Sequence, residues 1–224
     1  MSVSHVTLKT AENVSRTVER PIKRRWRDGS KGDVEWLLAL VAVIVLSPVF
    51  VAIAFIIVAT SGRPVIHRRR VVGRGGVEFD AFKFRTMVCG AERVLEQDDR
   101  LRDLFTRNWK LFADPRVTRV GRVLRKYSLD ELPQLFNVLR GEMALIGPRM
   151  ISPPELARYG ELQSKLWSVR PGLTGLWQVS GRQTVSYARR IELDMFYIDN
   201  CSPLFDLSIL LRTLPVVMRA EGAF

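Results

Sequence analysis

From Trp36 to Gly62 the chain carries no charge and is apolar almost throughout, broken at its middle by Ser47-Pro48. About 20 apolar residues at ~1.5 Å each match a hydrocarbon core of ~30 Å, so a straight helix of this length would cross a bilayer. Pro48 argues against straightness, because it lacks the N–H of the helix ladder and its ring collides with the carbonyl four residues back. As helices, residues 36–47 and 48–60 would each be only ~18–20 Å long, too short to reach the far side alone.

The flanks bear on the topology. Arg16, Arg20, Lys23, Arg24, Arg25, Arg27 and Lys31 precede the run, and Arg63, Arg68, Arg69, Arg70 and Arg74 follow it. Basic residues near membrane segments favour the cytoplasmic side, so both ends prefer the same side. A re-entrant helix-break-helix with its break at Ser47 and Pro48 satisfies this preference. A proline-kinked single span stays open, since proline is tolerated in ordinary spans. A cleavable signal peptide fits less well, because its core is shorter, at ~7–15 residues, and closer to the N-terminus.

About 160 residues follow the run, enough for one domain with a real core. The organisation expected is a flexible basic tail over residues 1–30, a re-entrant membrane hairpin over 31–62 and one cytoplasmic domain over 63–224. A formal charge of +12 favours anionic partners. Much of the excess flanks the apolar run, which puts lipid headgroups ahead of nucleic acid. His5 and His67 are the only histidines, and Cys89 and Cys201 the only cysteines. That composition disfavours a Ser-His-Asp triad, a His-rich zinc site and a disulfide scaffold, leaving carboxylates, Lys, Arg or an oxygen-held metal to do chemistry.

Phe79 to Met87 alternates in part as a half-buried strand does, with Phe82 and Phe84 on one side and Lys83 and Arg85 together on the other. Glu92 to Phe112 reads as a packing helix. Leu132, Leu135, Phe136 and Leu139 form one helix face with Gly141 as its stop. Its start fits a capping box from Ser128 to Glu131, or Pro133 at the first helical position. Both registers put Asp130 and Glu131 at the positive end of a helix, among Arg119, Arg122, Arg125 and Lys126, with Gly147-Pro148-Arg149 to follow. Acids are common in a first helical turn for electrostatic reasons alone. In this setting, however, a carboxylate can act as nucleophile towards phosphorus, a second can hold Mg²⁺ beside substrate phosphates, and arginine forks suit a diphosphate. From Arg170 to Arg182 a turn and short strand are punctuated by glycines, which suits hairpin chemistry or a close backbone approach. Ser186 to Tyr197 reads as helix. Leu204 to Met218, apolar but carrying Asp206, Arg212 and Pro215, reads as an interfacial or core helix.

Together the Ser47-Pro48 break, Lys83-Phe84-Arg85-Thr86-Met87, Leu124-Arg125-Lys126, Ser128-Leu129-Asp130-Glu131-Leu132-Pro133-Gln134, Gly147-Pro148-Arg149 and Arg170-Pro171-Gly172-Leu173-Thr174-Gly175 resemble the bacterial sugar transferases, the monotopic polyprenyl-phosphate phosphoglycosyl transferases. The likeness runs from about Lys31 to the C-terminus. It implies a mainly helical α+β fold with a re-entrant membrane hairpin, a small sheet and interfacial helices. It implies attack by Asp130 on the sugar-bearing phosphate of a UDP-sugar, release of UMP, and transfer of the hexose-1-phosphate to undecaprenyl phosphate at the cytoplasmic face of the inner membrane. In the same way it makes Glu131 the Mg²⁺ ligand and makes Lys83, Arg85, Arg125 and Arg149 candidate substrate-binding residues. The chain looks most similar to the galactosyl-phosphate transferases that start exopolysaccharide repeat units, which implies galactose or glucose as the hexose, with Met150 and Gln183 as departures from the usual pattern. Inner-membrane lipid and a homodimer are further candidate partners; nucleic acid is not. The rival reading is a membrane-tethered scaffold or polyanion-binding protein without catalysis.

Overall fold

The computed structural model describes residues 29–99, 102–103 and 114–219. The tail expected over residues 1–30 lies outside them save for its last two residues, as do most of the second half of the helix expected to reach Phe112 and the five C-terminal residues. Two helices open the described chain, α1 (Lys31–Val45) and α2 (Ser47–Ser61), bent by 60°. No single helix among the described residues is long and apolar enough to cross a membrane, but this pair is, as a broken span or a re-entrant loop. The bend falls on Leu46, one residue before the expected position. Ser47 and Pro48 instead form the first turn of α2, where a missing N–H is tolerated. In an unbroken helix the Pro48 nitrogen would have faced the Ile44 carbonyl. That carbonyl accepts the Ser47 hydroxyl at 2.8 Å instead.

The pair shows an apolar outer surface, with Leu37, Val41, Ile44, Val51 and Phe55 exposed. Its other side is packed: Ala39 lies in the main core, and Ile53 and Ile57 pack with Phe84 and Leu124 in a second cluster. The base of α1 is polar and buried. Lys31 Nζ donates to the Ile146 carbonyl at 2.8 Å, and to the Tyr197 hydroxyl and Asp206 Oδ2 at 2.6 Å each. Glu35 Oε1 accepts the Ile146 N–H at 2.9 Å. A fully partnered buried lysine of this kind keeps its charge only because its acceptors replace the water it has lost.

Strands β1 (Ile66–Val72) and β2 (Glu78–Phe84) form an antiparallel ribbon that places His67 opposite Lys83 and Arg69 opposite Ala81. β2 stops at Phe84, and beyond it Met87 makes only an isolated bridge with Val117. Lys83 and Arg85 therefore do not share an exposed strand face as expected, because Arg85 falls outside the strand and is buried. The helix expected from Glu92 begins as α3 (Ala91–Glu96) and breaks at Gln97. Helix α4 (Arg119–Lys126) follows, capped by the Thr118 side chain on the Gly121 N–H. The short α5 (Gln134–Leu139) comes next, and Gly141 stops it at φ +74°, a backbone angle that suits glycine.

Strands β3 (Ala144–Ile146) and β4 (Gly172–Thr174) pair in parallel, so the glycines from 170 to 182 do not build a hairpin. They let backbones meet: a Cβ on Gly172 would stand 2.1 Å from the Gly147 nitrogen, and one on Gly175 would stand 2.1 Å from the Gly147 oxygen. The short helices α6 (Gln163–Leu166) and α7 (Leu176–Val179) lead into α8 (Tyr187–Asn200), the helix expected from Ser186 to Tyr197, with Ser186 as its cap, and α9 (Pro203–Arg219). α9 buries Asp206 and Ile209 and turns Leu204, Leu207, Leu211, Leu214 and Met218 outward in one stripe. The architecture is mainly helical, as expected, with two two-stranded sheets where one small sheet was expected.

Candidate active site

Asp130 and Glu131 stand in a 3₁₀ turn (Leu129–Glu131) between α4 and α5. Neither register expected for this segment is adopted. Ser128 makes no side-chain cap, and Pro133 precedes the first turn of α5 rather than opening it. Glu131 is drawn away from Ser128 by a stronger partner, the Lys83 ammonium at 2.5 Å. Ser128 adopts φ +54° and Arg182 φ +51°, and the Arg182 guanidinium hydrogen-bonds the Ser128 hydroxyl. Left-handed backbone at two non-glycine residues costs energy and persists where the surroundings enforce it, often at functional sites.

The two acids face different surroundings. Asp130 is 8 % exposed, whereas 31 % of the Glu131 side chain is open to solvent. Burial pushes the Asp130 carboxyl up to about 6, with the Glu131 charge adding to the rise while Lys83 and Arg125 pull against it. Burial acts on Glu131 in the same direction, but the charge and hydrogen bond of Lys83, backed by Arg149 and Arg182, hold it below the usual carboxylate range. Two adjacent acids are thereby split, one easily protonated and one held ionised.

The structure gathers most of the expected residues at this turn. Lys83 arrives on β2. Arg125, on α4, is held by Thr86, its Nε donating to Oγ1 at 2.9 Å. Arg149 follows β3, and its backbone N–H donates to Asp194 Oδ1 at 3.1 Å. Asp194, pushed up to about 6 by burial, also accepts the Tyr159 hydroxyl at 3.0 Å. Arg85 is placed elsewhere: its guanidinium donates to the Ser61 and Gly62 carbonyls at 2.6 and 2.7 Å, closing the C-terminal end of α2. Ser47 and Pro48 lie at the bend. Sequence reasoning assigned no role to Arg182, Thr86 or Asp194, although Thr86 stood in the Lys83–Met87 motif and Arg182, behind the positive-φ Gly181, closed the glycine-punctuated segment; nothing in the sequence singled out Asp194.

No trio of Asp, Glu, His or Cys side chains gathers around a metal position among the described residues. Mg²⁺ takes one or two carboxylates and completes its shell with water and substrate phosphates, so its chemistry fits a two-carboxylate site of this kind. The arrangement as a whole offers a buried carboxylate, a more exposed one beside it, and Lys83, Arg125, Arg149 and Arg182 around them. That is equipment for handling a phosphorylated substrate.

The sequence profile of the bacterial sugar transferase family matches residues 26–220. Exopolysaccharide production protein ExoY of Sinorhizobium fredii is 43% identical over 199 residues, covering 87% of this chain and 88% of that protein. UDP-galactose-lipid carrier transferase of Erwinia amylovora is 40% identical over 221 residues, covering 97% of this chain. Undecaprenyl-phosphate galactose phosphotransferase of Salmonella typhimurium is 39% identical over 221 residues, also covering 97% of this chain. The chain spans only 44% of the length of each of these last two relatives.

Proposed function

The chain belongs to the bacterial sugar transferase family, and from that premise we propose that it moves a hexose-1-phosphate, galactose or glucose, from a UDP-sugar onto undecaprenyl phosphate. One relative is named for UDP-galactose and a lipid carrier, another for undecaprenyl phosphate and galactose, and ExoY for exopolysaccharide production. The observation that carries the reading is the buried Asp130 beside Glu131, set among Lys83, Arg125, Arg149 and Arg182. The bent apolar helix pair suits a reaction that joins a water-soluble donor to a lipid acceptor, with the site at the cytoplasmic face of the inner membrane.

In the first step an ionised Asp130 oxygen attacks the phosphorus bearing the sugar. The bond from that phosphorus to the bridging oxygen of the diphosphate breaks, and UMP leaves with the electron pair. The resulting aspartyl sugar-phosphate is then attacked by a phosphate oxygen of undecaprenyl phosphate, which frees the Asp130 carboxylate and yields the undecaprenyl diphosphate sugar. Lys83, Arg125 and Arg149 bind phosphate oxygens and offset the charge that shifts between them. Mg²⁺ held by Glu131 would supply further neutralisation of the diphosphate. Burial of Asp130 keeps water from the carboxylate and from the acyl phosphate, which would otherwise hydrolyse.

The test is UMP release from a panel of UDP-sugars by the purified protein, with and without undecaprenyl phosphate and Mg²⁺, beside Asp130→Asn. UMP release that needs Asp130 is the expected result, and the fastest sugar names the donor. Full activity in the folded Asp130→Asn variant would sink the assignment of the nucleophile.

A further inference from the structure

Beyond the Asp-Glu pair lies a second group of cations, in which Arg149 is joined by Arg158 and Arg190, two that the chemistry above does not use. The Arg149 and Arg190 guanidiniums both lie over the Trp177 ring, 4.7 and 4.9 Å from its centroid. Arg158 lies over Tyr187 at 4.5 Å, and Tyr187 packs edge-on against Tyr159. Nearby carboxylates are committed elsewhere. Glu155 pairs with Arg69 at 2.9 Å, and Asp194 takes the Arg149 backbone N–H and the Tyr159 hydroxyl. Among the described residues neither the Arg149 nor the Arg190 guanidinium has a hydrogen bond or ion pair. Arg149 Nε, Arg190 Nε, Trp177 Nε1 and the Tyr187 hydroxyl are all buried without a partner.

Buried polar groups left unpaired are expensive, and two arginines sharing one indole, neither in an ion pair, also repel. Every unpartnered group here is able to donate. The ligand such a set lacks is one that accepts without donating and carries negative charge, which describes a phosphate. Position chooses which phosphate. Arg125, on the other flank of the acidic pair, stands on α4, whose Leu124 packs on Ile53 and Ile57 of the membrane-type helix α2. Arg190 and Tyr187 stand instead on the first turn of α8, which packs on α6 and α7. Arg149 acts on both groups, since its charge is felt by Glu131 and by Arg190.

We propose that Arg190 and Tyr187, with Trp177 as the shared platform for Arg149 and Arg190, bind the nucleotide half of the donor and hold the leaving nucleoside monophosphate. The lipid phosphate comes to the Arg125 flank. This assignment rests on the donor being a nucleoside diphosphate sugar, as proposed above.

The test is titration calorimetry of UDP onto the full chain in lipid nanodiscs, for the wild type, Arg190→Gln, Tyr187→Phe and Arg189→Gln. Arg189 is the control, one residue away and paired with Glu192 at 2.6 Å. Loss of one charge-assisted phosphate contact corresponds to a roughly ten-fold weaker UDP affinity in R190Q, with a several-fold effect in Y187F and R189Q unchanged. In transfer assays R190Q is expected to raise KM for the UDP-sugar and leave KM for undecaprenyl phosphate alone. Wild-type protein that does not bind UDP, R190Q and Y187F that bind it as the wild type does, or an effect confined to the lipid KM would each overturn the assignment. Thermal melts identify a variant that fails to fold, in which case the other decides. Tight UDP binding through Arg190 with no UMP released from any UDP-sugar would leave the subsite standing and remove the transfer reading instead.

Discussion

Asp130→Asn is expected to make the protein more stable, by an amount that depends on pH in a defined way. Burial lifts the Asp130 carboxyl from its ordinary 3.8 to about 6, which at about 1.4 kcal/mol per pH unit amounts to about 3 kcal/mol. The sign follows from proton counting. Between pH 4 and 6 the folded chain keeps a proton that the unfolded chain has already released, so stability falls as pH rises across that window and stays lower above it. The ionised Asp130 carboxylate is thus held at a cost, and asparagine of nearly the same shape removes it. Part of the cost arises from repulsion by Glu131, so the gain belongs to the pair.

The assay compares apparent melting temperatures of wild type and Asp130→Asn in one detergent at pH 4, 6 and 8. For a chain of this size about 3 kcal/mol corresponds to roughly 6–12 °C. The variant is expected to melt higher by about that much at pH 8, by less at pH 6, and level with the wild type at pH 4. A variant that melts at or below the wild type at pH 8, or a gap that does not change with pH, would refute the reasoning. Together with lost turnover, the expected result would show activity and stability drawing on one residue in opposite directions.

Lys83→Met removes the cation that lowers both carboxyls. The rising limb of the pH–rate profile should therefore move to higher pH, with activity at pH 7 reduced at least about ten-fold; a profile that keeps its position would show that Lys83 does not tune the pair. Lys31→Met strands Asp206 and Glu35 in the interior without their counter-charge, a loss of about 3–5 kcal/mol that melting or protease resistance would report. Gly172→Ala puts a methyl group 2.1 Å from the Gly147 nitrogen, and because backbone cannot swing aside as a side chain can, more than about 3 kcal/mol should be lost, read as a lower yield of folded protein in detergent.

The parts legible in the sequence were those governed by short range. Apolar length and a proline foretell two helices and a bend, and the run from Ser186 to Tyr197 foretells α8 to within a residue at its start, because such local patterns act within a turn or two. Long-range choices were not legible. Lys31 reads as one more flanking charge, yet it is buried on Asp206, 175 residues away. Lys83 and Arg85 look equivalent on paper, but β2 ends between them, sending one to Glu131 and the other to the end of α2. The glycines after Arg170 suit a hairpin locally, while the parallel β3–β4 pairing they permit depends on Gly147, which no local pattern joins to them. Arg190 and Tyr187 escaped notice because a helix face carrying Arg and Tyr has the composition of an ordinary solvated surface.

Those long-range contacts share one pattern. The bent helix pair is tied to the candidate site at both of its ends, by residues the sequence presents as unrelated. At its start, Lys31 and Glu35 hold the carbonyl and the N–H of Ile146, three residues before Arg149. At its finish, the Ser61 and Gly62 carbonyls hold Arg85, two residues after Lys83. Arg149 and Lys83 are two of the cations whose charge reaches Glu131. A rigid tether at each end means that the helix pair and the acidic turn move as one body, since close-packed interiors transmit displacement rather than absorb it. Under the proposed transfer, a helix pair seated in a lipid layer would thereby also set the height of the carboxylates relative to that layer, as attack by a lipid phosphate on a carboxylate outside the membrane requires.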